Sequence, residues 1–558
     1  MQESVPSPSV VQSTMAVTLL DEWARCGLHD VVICPGSRST PMSLAAARTH
    51  GVSVHVRLDE RSAGFFAIGR ALSTSRPVVV IVTSGTASAE LHAAVAEADL
   101  ARVGLIVVTA DRPPELHGVG AAQTIDQRHL YGSMVRRFEE PGVARGEARS
   151  NWRPLASRLW NAAAGAGATP GPVHVNLAFV EPLVADALDA APGRANGLAW
   201  HAVASAVPGP ADLAVEGRRV LAVVGAGVDP TLIEECVALD WAVVGDATTR
   251  GAVAYADPLL RDDDFATVAR PDLVVRLGGL PSSRVLAERL ISWGAPVVAL
   301  TGAGPVADPD GVTGVSMGGV PDRGAPHLRG DAGYARTWRH ASARVGTWLT
   351  ERDAHAGDLD EPAVARAVVK LSGRHQVALV VGSSMPVRDV EWWASARTAP
   401  TFANRGANGI DGVVSTALGV ATGGRALALV GDLTLLHDVS GLVDSLGTPG
   451  GTCVLVVVDN HGGGIFSFLP QAQALSTTEF ERLFATPRDH DLMAVAQGFG
   501  HAAARVRTRA ELCDAVESSL SQTGVTVVVA DVVGRDENVR RHDALVEGVH
   551  THWRSDPA

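Results

Sequence analysis

Lysine is almost missing from this chain: Lys370 is the single lysine among the 47 Lys and Arg residues in 558 positions. A Walker-type phosphate loop, a Schiff-base lysine or a kinase-type lysine would have to use that one residue. It is followed by Leu371 and has no glycine-rich loop before it, so those chemistries drop out. Cysteine is scarce too. Cys26, Cys34, Cys236, Cys453 and Cys513 show no CxxC spacing, which indicates neither a structural zinc site nor a disulfide framework. Basic residues are outnumbered, and the formal net charge of −13 has the wrong sign for a protein that lives on nucleic acid or an anionic membrane face. Basic sites must therefore be local. No apolar run approaches the roughly 18 residues of a membrane span. No basic residue precedes Arg25, and no apolar stretch leads to a small-residue cleavage site, which argues against a signal peptide. The expectation is a soluble, cytoplasmic protein with no nucleic-acid partner and no membrane insertion.

What is present is globular: 46% hydrophobic and 19% charged residues, enough for several buried cores. At about 100 to 200 residues per domain, the length predicts three to five domains, or three large ones. Short β-branched runs alternate with Ala-rich helical stretches, first at Val31–Cys34, Val78–Val82, Leu105–Thr109 and Val173–Asn176. A second series follows at Val220–Val224, Trp241–Val244, Leu273–Leu277 and Val297–Leu300. A third runs through Val377–Val381, Ala426–Val430, Val454–Val458 and Val525–Val529. That rhythm marks βαβ units, so the expected fold class is α/β with three doubly wound parallel-sheet domains. Gly/Pro-rich shifts in composition place the divisions near 190 and 350, giving domains 1–190, 191–350 and 351–558.

The most informative segment is Val430-Gly431-Asp432-Leu433-Thr434, between a strand and a helix; 28 residues past Asp432 the next strand ends at Asp459-Asn460-His461-Gly462-Gly463-Gly464. Consecutive parallel strands deliver their C-terminal ends to one sheet edge, so Asp432 and Asn460 converge. A carboxylate, an amide oxygen and a free backbone carbonyl are hard oxygen ligands suited to Mg²⁺ that also holds a diphosphate. The glycines let the main chain approach that phosphate. Taken singly, the Gly-Asp step also reads as a helix cap and the glycine run as a loop. Near the other end, Arg57-Leu58-Asp59-Glu60-Arg61-Ser62-Ala63-Gly64-Phe65-Phe66 puts Glu60 in the first turn of an apolar helix, where a carboxylate also serves as a helix-dipole partner.

Together these segments resemble thiamine-diphosphate enzymes, with Leu433 standing where most of that superfamily has Gly. Further runs narrow the resemblance: Cys34-Pro35-Gly36-Ser37-Arg38-Ser39-Thr40-Pro41, Thr83-Ser84-Gly85-Thr86-Ala87, Ala110-Asp111-Arg112-Pro113-Pro114-Glu115-Leu116, Asn404-Arg405-Gly406-Ala407-Asn408-Gly409-Ile410-Asp411-Gly412 and Gly463-Gly464-Ile465-Phe466. They look like the 2-succinyl-5-enolpyruvyl-6-hydroxy-3-cyclohexene-1-carboxylate synthase family of menaquinone biosynthesis, in that family's order from about residue 15 to the C-terminus.

The resemblance implies a transferase that uses thiamine diphosphate and Mg²⁺ or Mn²⁺ to decarboxylate 2-oxoglutarate and add the succinyl carbanion equivalent to isochorismate. It implies that Glu60 hydrogen-bonds the aminopyrimidine N1′ and favours the imino tautomer that takes the C2 proton. Ser384, Gly409, Ile410, Gly431, Asp432, Leu433, Thr434, Asn460, Gly462, Gly464 and Ile465 fall at cofactor positions; Asp432, Asn460 and Gly462 are the metal ligands among them. Ser37, Arg38, Arg112, Gln123, Arg388, Arg405 and Phe466 fall on the substrate side, with Arg284 in the poorly matching centre. Both substrates are polyanions, which Arg suits through bidentate carboxylate capture. The superfamily clamps its cofactor between subunits, implying a homodimer or homotetramer. Ala122, Ser383 and Asp459 depart from the family pattern, and Asp459 adds negative charge beside the metal position. The alternative is another 2-oxo-acid decarboxylase or carboligase, acetolactate-synthase-like, whose smaller substrates would not need these arginines. Val224-Gly225-Ala226-Gly227 begins a dinucleotide fingerprint that Pro230 interrupts, so no nicotinamide site is expected. His92, His117, His437 and His461 are candidates for proton transfer.

Overall fold

The computed structural model describes residues 6–203, 208–300, 307–355, 358–443 and 451–554. Three sheets are present, and every pairing within them is parallel. The first holds β1 (Asp30–Ile33), β2 (Ser53–Val56), β3 (Val78–Val82), β4 (Leu105–Asp111), β5 (Phe138–Glu139) and β6 (Pro172–Ala178), in the order β2-β1-β3-β4-β6-β5. The second holds β7 (Val220–Val224), β8 (Ala242–Gly245), β9 (Leu273–Leu277), β10 (Val297–Leu300) and β11 (Val315–Met317), ordered β11-β10-β9-β7-β8. The third holds β12 (Ala378–Val381), β13 (Thr401–Phe402), β14 (Arg425–Gly431), β15 (Thr452–Asp459), β16 (Ala502–Val506) and β17 (Gly524–Asp531), ordered β13-β12-β14-β15-β17-β16.

Central strands such as β3, a run of five Val and Ile residues, are buried along their whole length because helices cover both faces of a parallel sheet. The first and third sheets share one strand order, so the third repeats the connectivity of the first. None of the five cysteines is in a disulfide, and among the described residues no helix is long and apolar enough to cross a membrane.

The chain forms two compact units. One comprises Met1–Ala206, Gly406–Thr422 and Asp438–Thr448; the other comprises Val207–Arg405, Gly423–His437 and Pro449–Ala558. The first unit thus takes in two stretches that lie beyond residue 350.

Within the first unit the helix Glu60–Thr74, which follows β2, packs on the helix Val413–Ala421, which follows β13. Glycines allow the close crossing: a Cβ on Gly69 would sit 2.1 Å from the Thr416 carbonyl oxygen, and one on Gly419 would sit 2.2 Å from that of Phe66. A buried ion network ties the same helix to the sheet. Asp30 on β1 accepts hydrogen bonds from His55 Nε2 (2.7 Å) and Arg70 Nη2 (3.0 Å), while Arg70 Nη1 donates to the Thr422 carbonyl (2.7 Å). Burial opposes ionisation of Asp30, but those two partners together hold its carboxyl below the usual range.

Candidate active site

In the second unit β13, β12, β14 and β15 are consecutive neighbours, and their C-terminal ends deliver Arg405, Ser384, Asp432 and Asn460 to one edge. Asp432, 5% exposed, begins the short helix Asp432–His437; its Oδ1 accepts the Leu433 N–H and its Oδ2 the Gly462 N–H, both at 2.7 Å. Burial pushes the Asp432 carboxyl up to about 6; the two N–H donors lower it, and nearby Asp459 raises it. Asp459 is itself held by Arg505 at 3.3 Å. Asn460, 7% exposed, donates from Nδ2 to Glu361 Oε1 at 2.7 Å, whereas its Oδ1 is buried without a hydrogen-bond partner. An orphaned amide oxygen next to a buried carboxylate fits a hard divalent cation. Among the described residues no cluster of three or more His, Cys, Asp or Glu side chains offers another metal site.

The Gly462 carbonyl accepts the Gly464 N–H at 2.9 Å, which leaves one lone pair for a ligand. Gly462 has φ +132°, and a Cβ there would meet the Ala485 carbonyl oxygen at 2.3 Å, so the loop requires glycine. Ile465 and Phe466 follow Gly464 in a half-buried 3₁₀ turn, with Phe466 edge-on to Phe484. Leu433 is half-buried and Thr434 is buried. Ser384 takes φ 74° and ψ −131° as it caps the helix Met385–Trp393, a conformation costly for a residue with a Cβ and typical of ligand-binding turns.

In the first unit β2, β1, β3 and β4 are the neighbours, and their ends carry Glu60, Ser37 with Arg38, Ser84, and Arg112. Glu60 opens its helix behind the cap Asp59, whose side chain accepts the Ser62 N–H. Burial raises the Glu60 carboxyl above the usual range, and Asp59 and Glu90 add to the rise. Arg38 donates to the Phe179 carbonyl and to Glu181, and Arg112 donates to Ser84 Oγ and to the Gln123 carbonyl. Burial, then repulsion from Arg38, lowers the Arg112 guanidinium. The structure thus brings Arg38, Arg112 and Gln123 together, with Ser37 exposed at the loop tip. The Gly406–Gly412 loop carries half-buried Gly409 and Ile410.

A second arginine pair lies in the other unit. Burial and then Arg405 lower the Arg388 guanidinium; Arg388 donates to the Ser384 carbonyl (2.7 Å), and Arg405 lies 3.5 Å from Asp246. Arg284 is not brought to either pair: its side chain is 89% exposed and bonded to Glu288 one turn along its own helix, a surface arrangement. His92, His437 and His461 are exposed, while His117 Nε2 donates to the Arg112 carbonyl (2.9 Å). A Cβ on Gly225 would lie 2.0 Å from the Gly279 carbonyl, so the interrupted fingerprint loop packs on protein backbone.

Two buried carboxylates escaped the sequence reading. Glu361 holds Asn460, and Glu97 accepts the Gly406 and Ala407 N–H groups at 2.7 and 2.6 Å, fixing the loop that leads to Ile410. Both sit on helices, where a Glu looks like any dipole partner or solvated residue.

Residues 13–130 match the family model described as thiamine pyrophosphate enzyme, N-terminal TPP binding domain, and residues 390–530 match its C-terminal TPP binding domain counterpart. Fold and site accordingly define a thiamine-pyrophosphate enzyme. The chain is 37% identical to a 2-succinyl-5-enolpyruvyl-6-hydroxy-3-cyclohexene-1-carboxylate synthase of Myxococcus xanthus, covering 95% of this chain and 96% of the relative. A synthase of the same name from Thermobifida fusca is 39% identical over 90% of this chain and 93% of its own. Another, from Saccharopolyspora erythraea, is 38% identical over 98% of both. The chain belongs to this synthase family.

Proposed function

We propose that the protein joins 2-oxoglutarate to isochorismate, making 2-succinyl-5-enolpyruvyl-6-hydroxy-3-cyclohexene-1-carboxylate for menaquinone biosynthesis in the cytoplasm. The carboxyl next to the keto group leaves as CO₂, the remaining four-carbon unit forms a C–C bond to the ring alkene, and one proton is taken up. Thiamine diphosphate, when bound, supplies the electron sink for the decarboxylation. Asp432, Asn460 and the Gly462 carbonyl hold Mg²⁺ or Mn²⁺. Ser384, Gly431, Leu433, Thr434, Gly464 and Ile465 line the diphosphate end, and Gly409 and Ile410 support the ring system. Glu60 holds the proton at the aminopyrimidine N1′, and its raised affinity for protons suits that exchange.

The observation that carries the substrate assignment is the pair of like-charged arginine couples, Arg38 with Arg112 and Arg388 with Arg405, in a chain of net charge −13. Arg38 is buried and the other three are half-buried, and guanidinium groups that repel one another are favoured once polycarboxylates lie between them. Ser37, Gln123 and Phe466 complete the substrate contacts. Three separate sheets support the reading of three domains divided near residues 190 and 350, and Glu60 and the metal ligands belong to different compact units, in keeping with a homodimer or homotetramer as the active form. Purified protein incubated with thiamine diphosphate, Mg²⁺, 2-oxoglutarate and isochorismate should release CO₂ and consume both substrates. Turnover of pyruvate alone, with none of the mixed pair, would favour the acetolactate-synthase-like reading.

A further inference from the structure

We propose that Glu361 is a positioning residue that fixes which end of the Asn460 carboxamide faces the divalent cation; the inference rests on the metal-site reading above. An amide presents a donor at one end and an acceptor at the other, and rotation by half a turn exchanges them at little steric cost. At the cation position the exchange is decisive, because an NH₂ group cannot ligate a metal. Glu361 resolves the ambiguity. It is 2% exposed at the start of the helix Glu361–His375, behind the cap Asp360, and its Oε1 lies 2.7 Å from Asn460 Nδ2. An oxygen acceptor there admits only the NH₂ end, which leaves Oδ1 as the unpartnered oxygen. In the structure Glu361 Oε1 is the acceptor, whether it belongs to a carboxylate or is the carbonyl oxygen of a protonated carboxyl.

The loop is built around this pair. A Cβ on Gly464 would lie 2.4 Å from Asn460 Nδ2 and 3.3 Å from Glu361 Oε1, so only glycine at 464 leaves the amide and the carboxylate in contact. The far side of Glu361 is walled by a second polar pair. Trp393 Nε1 donates to His542 Nδ1 (3.0 Å), so the neutral imidazole carries its proton on Nε2, 3.1 Å from Asp389 Oδ1. With 2% of its surface exposed, Glu361 is enclosed by protein, and Asn460 Nδ2 is the hydrogen-bond partner of its Oε1.

Glu361→Gln replaces the carboxyl oxygen that accepts from Asn460 with an amide that can offer its NH₂, and lets Asn460 turn its own NH₂ toward the cation. Mn²⁺ titrations in the presence of saturating thiamine diphosphate, with free Mn²⁺ read by electron paramagnetic resonance, should show affinity 10- to 100-fold weaker than in the parent, the range for partners that orient metal ligands. The same substitution made in an Asn460→Asp background should do the opposite. In that background the two carboxylates repel until Glu361→Gln supplies an NH₂ that donates to the introduced aspartate, and Mn²⁺ affinity should rise relative to Asn460→Asp alone. A purely structural role would weaken binding in both backgrounds, so equal losses in the two, or a Glu361→Gln affinity within twofold of the parent, would overturn the inference. Should Glu361→Gln not fold, Gly464→Ala takes its place: it displaces the amide directly and should weaken Mn²⁺ at least tenfold, and parental affinity would overturn the proposal. Asn460→Ala binding Mn²⁺ as tightly as the parent would instead reject the metal-site reading itself.

Discussion

Gly69→Ala pits two effects of known size against each other. Replacing a helix-interior glycine by alanine favours the helix by about 1 kcal/mol. The new Cβ, however, would sit 2.1 Å from the Thr416 carbonyl oxygen, 2.9 Å from its carbon and 3.1 Å from the Gly419 Cα. All three obstacles are main chain of the Val413–Ala421 helix, so no rotamer change relieves them and the two helices must part by on the order of an ångström. Overpacking of this kind costs roughly 1–3 kcal/mol, and parting the helices also loosens Phe65 and Phe66, each at most 2% exposed. The net expectation is a loss of about 1 kcal/mol, approaching 2 where the loosening of Phe65 and Phe66 puts the overpacking cost at its upper end. A chain with three sheets does not unfold in one step, so the readout is the midpoint of the first urea transition followed by tryptophan fluorescence. Thiamine-diphosphate affinity should fall as well, because Glu60 starts the displaced helix. Gly498→Ala, at the end of the helix Leu492–Gly498 with open space where its Cβ would go, is the control and should leave the midpoint unchanged or slightly raised. If Gly69→Ala tracks that control, the close-packing argument is wrong.

Glu60→Gln should keep calorimetric binding of thiamine diphosphate while turnover falls by a factor of about 10² to 10⁴, the usual reach of a lost proton-transfer group; a fully active variant would reject the assigned role. Arg388→Ala should lower kcat/KM for the mixed substrates at least tenfold, whereas Arg284→Ala, on an exposed i,i+4 pair, should stay within twofold. Glu391, fully buried and bonded to the Ser282 N–H and hydroxyl at 3.0 and 2.7 Å, has its carboxyl raised by burial to about 7 from 4.5. The folded state therefore holds a proton that the unfolded chain releases, and stability declines as pH climbs from about 4.5 through 7, by about 3 kcal/mol at most. Glu391→Gln should make that decline shallower in denaturation midpoints measured at pH 5 and pH 8, with the raised carboxyls of Asp432, Asp438 and Glu361 keeping part of it; an unchanged pH slope would show that Glu391 does not contribute.

The strands that were legible in the sequence are the apolar ones. Each of the twelve β-branched or Ala-rich runs lies on a strand, because a strand covered on both faces must be hydrophobic throughout. The strands that were missed, β2, β5, β11, β13 and β16, are all sheet edges. An edge strand is short or partly exposed, as with Val56 at 59% and Val315 at 50%, and so carries no uninterrupted apolar run. In the site, Asp432 and Asn460 could be read because consecutive parallel strands end at one edge, whereas Ser37, Arg38, Arg112, Ser384, Arg388 and Arg405 were placed by family resemblance. Glu97 and Glu361 could not, since what distinguishes each is a partner 309 or 99 positions away. The grouping of Gly406–Thr422 with the N-terminal sheet was hidden for the same reason: it depends on the glycine crossing with Glu60–Thr74 and on Arg70 reaching Thr422.

The shared strand order of the first and third sheets explains why one chain presents two half-sites. Both sheets bring the ends of four neighbouring strands to an edge, β2-β1-β3-β4 in one and β13-β12-β14-β15 in the other, and each edge acquired a cationic pair there. They diverged in what accompanies it. The first edge bears Glu60, whose raised proton affinity suits exchange with a ring nitrogen, and among its described residues it offers no Asp–Asn pair with an orphaned amide oxygen. The third bears that pair, held by Glu361 and by two backbone N–H groups, and has no half-buried Glu at the corresponding helix start, where Gly412 and Val413 stand instead. The proposed coenzyme, with a basic heterocycle at one end and a metal-bound diphosphate at the other, would draw on these two kinds of equipment, an acid at one edge and a metal-holding pair at the other.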